Sequence, residues 1–439
     1  MRPLRICNRL QSLEAERDEE RMMMETPTTR PAGRKWEFSW KMVQEHEQAL
    51  SAKLRRVDTK GKSKKAEYWT RCYLQSFDAR LVATERAFRS LPLHRRPPMS
   101  RVPDIAANLR PWRGTDEEVA LSFPPKETNP DEVRTIMNFG IENRALQYQV
   151  LHALEAGAKT HPMQFATRGG TRAAIKAARN ALLGGHHWAA EIDISSCYPS
   201  FDEERLSGLL PVPKEVVEKV ILSRDLNLTP DRKWLRNSFG VGYSGSEAEI
   251  LFSSLYEDEI EAARRGIPQG SAVSPLVAEC LLAPVLAQMP NHGIVLNYAD
   301  NFLVMAKQEA EVVSMQQTLR CALKAHPAGP LLPKKPKSYG PGQAVEFLGH
   351  ILTFEHGACR VEPSPKNAVK FKVEFERKLK HAMANNLSPY MRRRRFLDLL
   401  GYIVGWSNAF SLWKGAIQHR KQHMETLKAA ATSCSVSGI

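Results

Sequence analysis

Two short apolar segments, each delivering an aspartate to a turn, constrain this chain more than any other feature. Trp188 to Ile194 reads as a buried strand that reaches Asp193 near its end, and Gly293 to Ala306 reads as two strands turning around Ala299 and Asp300. Apolar runs of this length suit strands covered on both faces, and a two-residue connection joins adjacent antiparallel strands. A carboxylate at such a tip is held rigidly while the strand beneath it is buried. Taken alone, Asp193 is better read as a turn or cap residue. Together the two aspartates pose an electrostatic problem, because two carboxylates 4 Å apart repel by roughly 4 kcal/mol at an effective dielectric of 20 unless cations sit between them. Mg²⁺ prefers carboxylate and phosphate oxygens, so a two-metal site is the expectation, with Mn²⁺ as the alternative ion.

The charge distribution bounds the partner class. Residues 1–120 carry 25 Lys/Arg against 17 Asp/Glu, residues 361–439 carry 14 against 5, and residues 121–360 carry 24 against 26. Two basic arms therefore flank a near-neutral middle. Counterion release makes such arms good partners for a phosphate backbone, although a solvated surface accounts for basicity alone. Seven cysteines are scattered with no CxxC pair, which argues against a disulfide framework or a structural zinc site. No apolar run reaches membrane-span length and the acidic cluster Glu14 to Glu20 is foreign to a secretory signal. Cytoplasm and no membrane are the expectations.

No internal repeat is evident. Residues 1–35 read as a polar leader. Glu37 to Leu54 and Glu67 to Leu91 carry apolar residues at helical spacing around the basic breaker Lys60 to Lys65. Leu93 to Pro111 reads as a Pro- and Arg-rich link. Val119 to Phe123 and Val133 to Met137 read as a β-hairpin, Arg144 to Ala158 and Gly170 to Leu183 as helices, and Lys366 to Asn385 and Tyr390 to Trp406 as basic amphipathic helices.

Between the two aspartates lies Arg265-Gly266-Ile267-Pro268-Gln269-Gly270-Ser271-Ala272-Val273-Ser274-Pro275. Its glycines let backbone approach a ligand, and the apolar helix that follows offers free N–H groups at its start. A plain loop-to-helix cap is the alternative. The ordered series is now complete: Asp193 with an aromatic, Tyr198, five residues on, then GIPQGSAVSP, then Tyr298-Ala299-Asp300-Asn301, then Phe347-Leu348-Gly349-His350. This series resembles motifs A, B and C and the later FLG segment of bacterial reverse transcriptases, retron and group II intron enzymes among them, over roughly residues 119–410.

The resemblance implies an α+β right-hand polymerase fold of fingers, palm and thumb with a helical N-terminal extension. The expected boundaries are 1–115 for the extension, 116–187 for fingers, 188–358 for palm with a fingers insertion, and 359–439 for thumb and tail. It implies Asp193 and Asp300 as metal ligands, the Ile194 carbonyl assisting, with Asn301 completing the catalytic set. Tyr198 falls at the steric-gate position that favours deoxynucleotides. Lys126 and Arg134 match fingertip residues that clamp a triphosphate, a task that suits the planar guanidinium fork. Asn143 to Gln147 and Arg168 to Gly170 resemble further fingers segments. Gln269 and Gly270 are implied against the incoming nucleotide and template, Lys337 near the leaving phosphate with Lys334 and Lys335 as rivals, and Leu348, Gly349 and His350 as the primer grip. Arg392 to Arg395 are expected near the duplex.

Most relatives carry a second aspartate where this chain has Asn301. The substitution removes a charge and keeps an oxygen donor, so activity with an altered metal preference is the expectation. No His/Cys cluster resembling a nuclease follows Trp413. The combination resembles stand-alone bacterial reverse transcriptases, including those of antiphage defence. The expected activity is RNA-directed DNA polymerisation of dNTPs on a dedicated noncoding RNA, giving a DNA product. Competing readings are a catalytically weak RNA-binding or maturase-like scaffold and a template-independent polymerase.

Overall fold

The N-terminal helices form where the apolar spacing requires them, with one break that the periodicity does not announce. In the computed structural model, which describes residues 36, 38–58, 63–125, 132–239, 245–384, 386–434 and 436, helices run Trp40–Asp58, Ser63–Gln75 and Phe77–Ser90. The sequence reads residues 67–91 as one helix. Ser76 divides it: its backbone is extended (φ −63°, ψ 130°), its hydroxyl accepts from Ala79 N–H, and Asp78 lies in the first turn of the next helix. A local cap outcompetes helix continuation there. Lys126 and the breaker residues Lys60, Gly61 and Lys62 lie outside the described residues.

The chain folds into two compact units whose segments alternate along the sequence. The first comprises the described residues of Met1–Lys159, Tyr198–Cys280 and Pro327–Gly329, and the second Thr160–Cys197, Leu281–His326 and those of Pro330–Ile439. In the first unit, Leu81, Val102 and Ala106 form a buried cluster with Trp36 stacked on Phe77 at 5.2 Å. Strands β1 (Val119–Ser122) and β2 (Ile136–Asn138) pair antiparallel, with Leu121 opposite Met137, and the Pro125–Val133 bridge extends the expected hairpin. Strand β4 (Leu228–Pro230) joins β1 in parallel, a pairing with no local signal. Phe123, Phe139 and Phe252 fill the core beneath this sheet.

In the second unit, β3 (Trp188–Asp193), β5 (Gly293–Tyr298), β6 (Asn301–Ala306) and β7 (Lys337–Tyr339) form an antiparallel sheet of order β5-β6-β3-β7. The helix Gly170–Leu183 covers it through Ile175, Ala178 and Leu182, which pack with Leu296, Leu303 and Met305. A second antiparallel sheet comprises β8 (Val345–Phe347), β9 (His350–Glu355) and β10 (Ala358–Pro363). Helices Pro365–Ala382, Pro389–Ala409 and Ala416–Ser433 follow. They close around Phe371, Phe396 and Leu427, with Phe371 stacked on Tyr402 at 5.3 Å. No described helix is long and apolar enough to cross a membrane. The described cysteines are free thiols.

Candidate active site

The two sequence-predicted aspartates meet through strand register. Asp193 ends β3 directly opposite Asn301, the first residue of β6, and β5 and β6 are joined by the two-residue turn Ala299-Asp300. The turn is tight enough to place Ala299 in the left-handed region at φ 53°, a conformation uncommon for a residue with a Cβ and one that recurs at functional sites. Asn297 holds it. Fully buried, Asn297 donates its amide to the carbonyls of Ala299 at 2.9 Å and Asn301 at 3.2 Å, and its Oδ1 accepts from Gln164 Nε2 at 3.2 Å. Sequence reasoning assigned Asn297 no role. Its sequence shows only a lone carboxamide in an apolar strand, and the role becomes visible with its buried partners.

Beyond Asp193 the chain stays extended for one more residue. Ser195 N–H donates to Leu332 O at 2.9 Å and Lys334 N–H to Asp193 O at 2.8 Å, flanking an Ile194–Pro333 bridge. Ile194 directs its own N–H the other way, to Asp300 O at 3.0 Å. The backbones of Asp193, Ile194 and Asp300 are thereby held as one group by main-chain bonds.

The electrostatics of this group are unbalanced. Asp193 Oδ1 is buried with no hydrogen-bond partner, and Oδ2 lies 3.6 Å from Lys334 Nζ. Asn301 Nδ2 donates to Asp300 Oδ1 at 3.3 Å. Burial raises the Asp300 carboxyl above the ordinary carboxylate range and its own backbone N–H opposes this. Asp193 adds to the rise, while Lys334 and Asn301 reduce it. A buried carboxylate oxygen without a donor is costly, and a divalent cation, which prefers oxygen ligands such as carboxylates, relieves that cost. The residues present therefore fit Mg²⁺ or Mn²⁺ with oxygen ligands. They do not form a complete cage: among the described residues no group of three or more His, Cys, Asp or Glu could hold a metal ion.

Two residues upstream, Glu191 lies on the Asp193 side of β3 and opposite Lys337 of β7. Burial and then Asp193 push Glu191 up to about 7, with Lys337 pulling it down. Lys337 is committed elsewhere, its ammonium lying 2.5 Å from Glu346 Oε2. Of the three candidate lysines, the structure brings Lys334 to Asp193 and Lys337 to Glu346.

Leu348 and Gly349 form the two-residue turn between β8 and β9, with φ 46° and 75°. Positive φ at both positions matches the twist of a tight hairpin. Ser364 N–H and Asn367 Nδ2 donate to Gly349 O at 2.9 and 3.0 Å, tying the turn to the helix Pro365–Ala382. The His350 ring points inward, buried against Phe410 at 4.5 Å, and burial lowers its pKa. In the arginine run, Arg392 Nη2 donates to Ala384 O at 3.3 Å and Arg393 is exposed.

In the first unit, the Arg265–Pro275 segment is locked from several sides. Gly266 has φ 64°, and a Cβ there would stand 2.2 Å from Tyr198 O. Ile267 N–H donates to that same carbonyl at 3.1 Å. Gly270 has φ 94° beside Met137 O, and Ala272 N–H donates to the buried Gln147 Oε1 at 3.1 Å. Ser274 Oγ donates to Pro268 O at 2.8 Å, where the helix Ser274–Ala287 begins. Gln269 and Gly270 are left exposed at the tip. Tyr198 is half-buried in a 3₁₀ turn, and Arg134 is exposed with its N–H donating to Pro124 O at 2.8 Å.

Residues 124–352 match the family described as reverse transcriptase (RNA-dependent DNA polymerase). No curated protein matches the chain by sequence. Among solved structures, the chain is similar to apo telomerase from Candida tropicalis, at 13% identity, TM-score 0.39, covering 73% of this chain and 60% of that one. It is also similar to Candida albicans telomerase in complex with a telomeric RNA fragment, at 12% identity, TM-score 0.34, covering 72% and 64%. A truncated apo telomerase from Candida tropicalis gives 11%, TM-score 0.34, 57% and 56%. The chain thus spans less than two thirds of the length of these structures. With the family match extending over more than half of its length, the chain belongs to the reverse transcriptase (RNA-dependent DNA polymerase) family.

Proposed function

We propose that this chain adds deoxynucleotides to a growing DNA strand on an RNA template. The observation that carries this reading is the Asp193 and Asp300 pair, fixed by β-sheet register and left with a buried, unpartnered carboxylate oxygen. Asp193 and Asp300 hold Mg²⁺ or Mn²⁺, the Ile194 carbonyl assists, and the Asn301 carboxamide stands beside them as a neutral donor. Bound there, the cations supply charge neutralisation for the attacking 3′-oxygen and the leaving pyrophosphate. The turn held by Asn297 keeps the carboxylates from relaxing away from each other, which is how preorganised charge becomes useful in catalysis.

The remaining roles are supported by motif order. Tyr198 crowds a ribose 2′-hydroxyl, Gln269 and Gly270 face nucleotide and template, and Lys126, Arg134 and Lys337 meet phosphates. The Leu348-Gly349-His350 turn grips the primer through its backbone, since the imidazole is buried. The extension is 1–115, the fingers 116–187, the palm 188–358 and the thumb and tail 359–439. The basic arms hold a dedicated structured RNA by phosphate contacts, and the protein works in the cytoplasm as a bacterial enzyme of antiphage defence.

Extension of a primer on RNA of defined sequence, with each dNTP and either Mg²⁺ or Mn²⁺, tests the reading. Template-directed incorporation lost in Asp193→Ala supports it. No incorporation by either protein favours the scaffold reading that Asn301 invites, and product independent of added template favours untemplated synthesis. Unchanged rNTP exclusion in Tyr198→Ala removes the gate role.

A further inference from the structure

We propose that Lys334 is a built-in counter-ion of the candidate metal site: its ammonium holds Asp193 in the metal-free protein and competes with the divalent cation for that carboxylate. The proposal deepens the metal-site reading and rests on it. Its basis is an asymmetry in one carboxylate, whose Oδ1 is buried without a partner while its Oδ2 faces Lys334 Nζ at 3.6 Å. The same lysine also lowers the Asp300 pKa, so its charge reaches both aspartates.

Backbone structure makes the lysine a fixture of the site. Lys334 N–H donates to Asp193 O at 2.8 Å, next to the Ile194–Pro333 bridge. Pro333 and Pro336 restrict the chain on either side. The root of the side chain is thus pinned at Asp193 while its head is free to move. The side chain is 56% exposed and Asp193 38% exposed, so the ammonium can swing into water on its flexible stem without leaving a buried charge behind. A lysine buried on Asp193 would block the cation outright. One this exposed only taxes its binding.

The local charge count shows why the tax matters. Asp193 and Asp300 contribute two negative charges, Asn301 none, and Lys334 returns one positive charge. Metal affinity rises with the charge of the ligand set, so in the metal-free protein Lys334 offsets one of the two carboxylates assigned as ligands. Lys337 has no such effect, being paired to Glu346.

Mn²⁺ binding to the full chain, without nucleotide or nucleic acid, is read from the loss of the free-ion electron paramagnetic resonance signal. For an exposed pair the competition is worth a roughly two- to fivefold change in affinity. Lys334→Met is expected to bind Mn²⁺ that much more tightly, Lys334→Arg as the wild type does, and Lys335→Met, which removes the same charge next door, with little change. The gain shrinks as salt is raised. Equal affinity in wild type and Lys334→Met, weaker binding in Lys334→Met, or an equal gain in Lys335→Met overturns the counter-ion role. Asp193→Asn separates the two layers: if it binds Mn²⁺ as the wild type does, the metal-site reading itself fails.

Discussion

Asp193 and Asn301 face each other across the β3–β6 ladder, the last residue of one strand against the first of the other. A carboxylate and a carboxamide share this position without repulsion, and the negative charge at the site is carried by Asp193 and its neighbour at the turn, Asp300. Like charges directly opposite on a sheet destabilise it, by up to about 1 kcal/mol.

Asn301→Asp is therefore expected to lower the melting temperature by about 2 °C in chelator. Added Mg²⁺ should restore it and stabilise the variant more than it stabilises the wild type. Thermal unfolding with and without Mg²⁺ measures this. A variant with unchanged stability and no extra response to Mg²⁺ contradicts the placement of residue 301 beside the proposed metal ligands.

Asn297 acts on the same turn from beneath. Asn297→Ala removes the amide bonds to Ala299 O and Asn301 O and takes the acceptor from Gln164 Nε2, at a cost of roughly 1–3 kcal/mol. Urea unfolding reads the cost. In polymerisation, kcat should fall more than KM for dNTP rises, because the carboxylates lose their positions while the rest of the chain is untouched. A fully active variant shows that the turn holds without this residue.

Gly266 offers a test of the locked loop in the first unit. A Cβ would stand 2.2 Å from Tyr198 O at a residue with φ 64°, whereas at Gly342, with φ 80°, a Cβ meets nothing within 4 Å. Gly342→Ala carries only the left-handed backbone cost of roughly 1–2 kcal/mol. Gly266→Ala adds a backbone overlap and should exceed that by about 2 kcal/mol or more. Equal unfolding free energies for the two variants contradict the close approach.

A buried polar network in the N-terminal region sets an acid limit on stability. Tyr73 OH donates to Glu47 Oε1 at 2.8 Å and lies 3.2 Å from His152 Nδ1, and His152 Nε2 is 2.5 Å from Arg86 Nη1. With Arg86 donating to it, Nε2 cannot also carry a proton. Burial, then Arg86 and Arg55, hold His152 down to about 4. A histidine whose folded pKa lies below its unfolded value of about 6.5 contributes stability that is present above 6.5 and lost as the pH falls towards 4. Urea midpoints at pH 7 and pH 5 should show a loss of roughly 1–2 kcal/mol in the wild type and a smaller one in His152→Gln. An equal loss in both places the acid sensitivity elsewhere.

Much of the local structure around the candidate site was legible in the sequence because its parts are local. The apolar runs around Asp193 and Ala299-Asp300 specify strand, turn and strand, and GIPQGSAVSP specifies a glycine-bearing loop entering an apolar helix. The hairpin carrying Arg134 was legible for the same reason. What escaped reading depends on distant partners. The β1–β4 pairing joins residues more than 100 apart with no local pattern. Ser76 reads as an ordinary helix residue until its hydroxyl is seen capping the next helix. Asn297 looks like any polar residue in a strand until Gln164 and the turn carbonyls are found around it. Among the three lysines the family pattern favours Lys337, whereas the placement of Lys334 at Asp193 depends on the Ile194–Pro333 bridge between distant segments, which has no local pattern.

On the proposed reading, Asp193 and Asp300 together hold the cations on which polymerisation depends. Single-nucleotide extension of a primer on an RNA template, comparing wild type with Asp193→Asn and Asp300→Asn, tests it most directly, since each variant keeps shape and removes one charge. The predicted result is a loss of roughly a hundred- to a thousandfold in each, of the size expected when an electrostatic catalytic group is removed, with folding unchanged by circular dichroism. Extension within tenfold of wild type in either folded variant would contradict the claim.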